Sequence, residues 1–204
     1  MCAPDPGPSY YISEVFDIEG MYLDIDWTNE QIVYSIVTSM PTNGFDQVSW
    51  YPGYVFRAGD IRFNVGSEQY VVGTHESFTG NLYHNPTMSY RDGYRGFAER
   101  GNPTLANINI GSEMTTSSNF AFSYQEYLDA NGNSVIENGY KTYIMEGKLS
   151  FSDIGGAPNA PIGMTLGMSC NNDVATTSVP EPGTLALMGV GLAGLIGGRR
   201  RFKK

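Results

Sequence analysis

Short segments in which apolar and polar residues alternate one by one, bounded by turn residues, constrain this chain most. Tyr22-Leu-Asp-Ile-Asp-Trp27 and Asp60-Ile-Arg-Phe-Asn-Val65 both alternate in this way. That is the period of a strand with one face in a core and the other in water. Asn119-Phe-Ala-Phe-Ser-Tyr124 repeats the pattern, and Gln31-Ile-Val-Tyr-Ser-Ile-Val37 is a more continuously apolar strand. Further strands are expected at Tyr54-Val-Phe-Arg57, Gln69-Tyr-Val-Val72, Lys141 to Phe151 and Met164 to Ser169. Ala58-Gly59 and Gly66-Ser67 separate the strands around Asp60, and Asp129-Ala-Asn-Gly-Asn-Ser134 is the strongest turn signal. From Tyr10 to about Asp173 no segment has a helical period with caps at both ends. Many short strands with spaced turns predict an all-β, single β-sandwich or jelly-roll-like domain over residues 9–175.

Composition agrees with that class. Hydrophobic residues make up 41% of the 204, enough for a core, and charged residues only 16%. Glycine (25) and tyrosine (14) are abundant, as suits an extracellular β protein. The formal net charge is −9, yet five basic residues crowd the last six positions: Arg199, Arg200, Arg201, Lys203 and Lys204. The body is therefore strongly acidic and would repel phosphate backbones, so no nucleic-acid partner is expected.

Candidate chemistry is sparse. The two histidines, His75 and His84, form no cluster with cysteine at metal-ligand spacing. No Gly-x-Ser-x-Gly elbow is present, and neither histidine singles out a serine. Asp24 and Asp26 would share one face of a strand, but among so many exposed acids a solvated surface outweighs a catalytic pair. Asp129-Ala-Asn131-Gly-Asn133 imitates the start of a calcium loop. It has Ser134 where that loop needs glycine and Tyr140 where it needs glutamate, so a β-turn is the better reading. No catalytic residue, metal site or cofactor is expected. Residues 79–103 form a long glycine-rich excursion carrying Tyr83, Tyr90, Tyr94 and Phe97 beside Arg91, Asp92 and Arg95. Aromatic faces flanked by hydrogen-bonding groups suit sugar rings, so a glycan site is looked for there. Cys2 and Cys170 are an even count, which in an oxidising compartment suggests one disulfide; two unrelated thiols is the alternative. Met1 to Ser9 has neither the basic start nor the apolar core of a signal peptide. Its prolines look like the linker that follows one, so residues 1–8 are taken as linker and the true start is expected upstream.

The composition shifts at Ala175-Thr-Thr-Ser-Val179, read as a small polar linker. Beyond it come Val179, Pro180, Glu181 and Pro182, then an apolar run containing Thr184, Leu185, Leu187, Leu192, Leu195 and Ile196, then Arg199, Arg200 and Arg201. The prolines keep the backbone extended and unpaired. The apolar run suits a short helix in a bilayer, below the roughly 20 residues of a comfortable span. The arginines stay on the cytoplasmic side.

This order resembles the PEP-CTERM sorting signal handled by exosortase in Gram-negative bacteria. The resemblance covers roughly residues 179–204 and implies transient anchoring in the inner membrane and cleavage near Pro180-Glu-Pro182. Release to the cell surface or extracellular matrix, with exopolysaccharide as a partner, is implied as well. In the body, Met168-Ser-Cys-Asn-Asn-Asp-Val174, Gly59 to Val65 and the early Cys2 also resemble segments of exosortase-dependent surface proteins. The resulting expectation is a non-enzymatic structural or adhesive domain, with residues 176–204 as linker and sorting segment. The alternatives are a carbohydrate-binding module and a secreted hydrolase.

Overall fold

In the computed structural model the described residues are 15, 17–46, 55–74, 76–86, 88–89, 104–105, 114, 116–168 and 174–179. The protein is all-β. The first sheet is built from β1 (Ile18–Asp26), β2 (Gln31–Thr38), β8 (Ala121–Glu126) and β11 (Tyr143–Ser150), in the order β1-β2-β11-β8. The second is built from β3 (Ile61–Val65), β4 (Glu68–Val72), β5 (Leu82–His84), β12 (Ile162–Gly167) and β13 (Val174–Val179), in the order β13-β12-β3-β4-β5. Two ribbons complete the set: β6 (Met88–Ser89) with β7 (Thr104–Leu105), and β9 (Ile136–Glu137) with β10 (Tyr140–Lys141). All these pairings are antiparallel.

The alternation in sequence becomes the inner face of each sheet. In β2, Ile32, Tyr34 and Ile36 are buried while the residues between them are half-exposed. Register then sets the rows. Met21, Ile36, Met145 and Tyr124 lie opposite one another, as do Leu23, Tyr34, Gly147 and Phe122. In the second sheet Phe63 lies between Met164 and Tyr70. Both inner faces feed one hydrophobic cluster, and the Tyr34 and Phe63 rings meet edge to face across it at 5.0 Å. A smaller cluster of Val71, Tyr83 and Phe78 covers the opposite face of the second sheet.

Gly147 is required by this packing. A Cβ there would fall 2.6 Å from the Ala121 carbonyl oxygen and collide with the Tyr34 hydroxyl.

Three expectations are corrected. Of Tyr54 to Arg57, residues 55–57 are described and form no strand: Phe56 makes an isolated bridge to Phe45, and just beyond the segment Ala58 bridges Met168. Residues 175–179, expected as a linker, are most of strand β13, paired along its length with β12 from Gly167↔Val174 to Ile162↔Val179. The reason is β propensity: Val, Thr, Thr and Val suit an edge strand even where apolar residues do not alternate. Tyr83, placed with the sugar-binding aromatics, is 1% exposed and belongs to the smaller core, while Tyr90, Arg91, Asp92, Tyr94, Arg95 and Phe97 lie outside the described residues.

Candidate functional site

The site that the sequence marks begins where the second sheet ends. Val179 is the last residue of β13, half-buried, with its side chain packed against the main core. It lies opposite Ile162, which is fully buried. The next residue in each strand is a proline, Pro161 and Pro180. Neither has an N–H to offer a ladder, and the described pairing ends at Ile162↔Val179. Along the same end of the sheet, Ile162 pairs with Val65 and Val65 with Glu68. Strand β1 runs alongside β13.

Of the sorting residues, Val179 alone is described. Pro180, Glu181, Pro182, the apolar run from Thr184 through Ile196, and Arg199 to Arg201 lie outside the described residues, as do Cys2 and Cys170. The expected sorting helix and disulfide therefore fall outside them too. No helix among the described residues is long and apolar enough to cross a membrane.

Near that sheet end, Glu68 Oε2 accepts from Asn85 Nδ2 at 2.7 Å and lies 2.8 Å from His84 Nε2. Ser67 Oγ donates to the other oxygen at 3.2 Å. Hydrogen bonds from Asn85, then His84, then Ser67 hold this carboxyl below its usual range. His84 stacks on Tyr70 at 4.9 Å, and Tyr70 donates to the Ile154 carbonyl. Asn85, at φ 44°, bonds the backbone of Gln69 through its own N–H and its side-chain oxygen. The cluster closes the end of β4 and β5.

The other acids weighed for chemistry have structural partners. Asp26 accepts from the Thr28 and Asn29 amides and from the Asn29 and Gln31 side chains, organising the β1–β2 turn. Its carboxyl is lowered, first by the Asn29 side chain. Asp129 accepts from the Asn131 and Asn133 amides at 2.8 and 2.9 Å, while Gly132 N–H returns to its carbonyl: a β-turn, with Gly132 at φ 80°. Sequence reasoning missed the buried acids Asp60 and Asp153 among the described residues. Asp60 accepts from the Thr74 amide at 2.9 Å. Asp153 accepts from Ser117 N–H, Ser117 Oγ and Ser150 N–H, fixing a loop to a capped 3-10 turn. Asp60 had no local signal, since Thr74 lies 14 residues away. Asp153 carries one, the Ser-x-x-Asp capping box opened by Ser150, while its bonds to Ser117 span 36 residues. Among the described residues, no group of three or more His, Cys, Asp or Glu is placed to hold a metal ion.

One open groove of about 460 Å³ follows the edge of β1. Tyr22, Asp24, Ser35 and Thr177 are among its lining residues. Tyr22 is 65% exposed, and its ring lies over Gly20, where a Cβ would be 3.3 Å from the ring edge.

The described body is all-β, and its strand β13 ends at Val179, directly before Pro180 in the sequence. Residues 178–201 match the PEP-CTERM protein-sorting motif. The chain is thereby marked for exosortase-type processing and for transient membrane passage toward the cell surface. No curated protein and no solved structure is significantly similar to it.

Proposed function

We propose that the chain is a non-enzymatic structural or adhesive protein of the cell surface or extracellular matrix, a β-sandwich module that associates with exopolysaccharide after its tail is removed. One observation carries this reading: the sorting motif begins within the last strand of the domain, so the whole β body stays together on the exported side of the cut. The structural use of Asp26, Asp60, Asp129 and Asp153 supports a role without catalysis. The test is fractionation of the native protein between cells and matrix, followed by co-sedimentation with purified exopolysaccharide. Recovery of a shortened form that sediments with the polymer is expected. A shortened form that stays wholly in solution would remove the matrix role.

A second reading, a carbohydrate-binding module, is favoured by the Tyr22 surface. An exposed ring beside Asp24 and Ser35 offers an apolar face next to hydrogen-bonding groups. Retardation of the purified protein in a polysaccharide-containing gel, abolished by Tyr22→Ala, would favour it; unchanged retardation of the variant would count against that surface.

A further inference from the structure

Strand β13 and the sorting motif share Ser178 and Val179. A backbone-cutting enzyme takes its substrate as an extended chain, commonly by adding it as a strand to its own cleft. Upstream of the Pro-Glu-Pro element, however, the backbone is already committed to the ladder with β12. Downstream, four residues separate Val179 from Thr184, where the apolar run begins. That chain spans at most about 18 Å between the two Cα atoms, so a docked β13 holds the domain close against the membrane with little slack.

Strand β13 is built lightly. It is an edge strand whose residues alternate between exposed and half-buried, with none fully buried. Val174 is 47% exposed. Its partner β12 is the opposite: Ile162, Met164 and Leu166 are all at 0% exposure. Detaching β13 therefore uncovers half-buried residues, Val179 against the main core among them, and frees its flank beside β1, while detaching β12 would remove fully buried core residues.

We infer, resting on the sorting reading above, that β13 is a releasable arm of the sorting site. The processing enzyme engages the chain with the end of β13 lifted from β12, and the strand re-docks as the C-terminal edge of the mature domain.

Thr165 and Thr176 are opposite each other on the exposed face, their hydroxyls 3.2 Å apart. Replacing both with cysteine (Thr165→Cys with Thr176→Cys) provides a staple across the two strands. In cells, the full-length stapled chain is expected to accumulate as precursor, while each single-cysteine chain is processed like the parent. Inserting a Gly/Ser spacer of about six residues between Val179 and Pro180, able to extend to about 20 Å, supplies free chain upstream of the cut. It is expected to restore processing of the stapled protein. Two results would overturn the inference: normal processing of a chain shown to carry the staple, or a stapled chain that the spacer does not rescue. A parent chain that is never cut would instead remove the sorting reading, and the inference with it.

Discussion

At the scale of single residues, the fold depends on a few close approaches. The Tyr34 ring crosses from β2 onto β11 and occupies the space that a side chain at Gly147 would need. Gly147→Ala is expected to cost about 1–3 kcal/mol, since the Ala121 carbonyl is backbone and cannot swing aside. Gly163 is the contrast: nothing lies within 4 Å of its added Cβ. Gly163→Ala should raise stability by about 0.5–1 kcal/mol through lost chain entropy in the unfolded state. Thermal or urea unfolding of both variants checks the pair, and equal effects would contradict the packing described. The Tyr34 hydroxyl is buried without a hydrogen-bond partner, and burial pushes its pKa up. Tyr34→Phe should therefore be neutral or stabilising, within about 1 kcal/mol. Acid sensitivity follows from Asp26, Glu68, Glu126 and Asp129, whose carboxyls are all lowered in the folded protein by hydrogen bonds. A lowered folded pKa stabilises above the unfolded value, and that stabilisation is lost as pH falls through the folded value. The melting temperature should thus fall between about pH 5 and pH 2. Glu126 accepts from the Ser134 hydroxyl and from Lys141 Nζ at 2.9 Å. Removing two of these charges with Glu68→Gln and Glu126→Gln should shallow that acid slope. An unchanged slope would place the acid response elsewhere.

At the scale of elements, strands with an alternating apolar face were legible, the edge strands β1 and β8 included, and β13 was not. The alternation around Asp24, Ile32 and Phe63 is a direct record of inside and outside, and β1, β2 and β3 sit where it predicts. The Asp129 turn was legible for a similar reason, because Asp, Asn and Gly carry turn chemistry in their own side chains. Strand β13 was hidden, since an edge strand that buries little has little apolar pattern to display. Tyr54 to Arg57 failed in the other direction: Phe56 is buried, but through an isolated bridge. The candidate site divides in the same way. The tail is readable because its devices are local and ordered in sequence. The Glu68–His84–Asn85 cluster and the Asp153 anchor are not, since each joins residues separated by a turn or a whole element.

At the scale of the whole molecule, the acidic β body and the basic tail are two parts with different fates. If Arg199, Arg200 and Arg201 set the orientation of the tail, their joint replacement by neutral residues should leave uncut or misplaced precursor on blots of fractionated cells. Normal processing of that variant would contradict the charge argument. The central claim is that this chain is exported and cut at its sorting motif. Mass spectrometry of the native protein, recovered without reduction from cells and from the surrounding medium or matrix, tests it most directly. The account predicts a mass ending near Pro180-Glu-Pro182, with the tail gone. A mass that retains Arg199 to Lys204 in every fraction would contradict it.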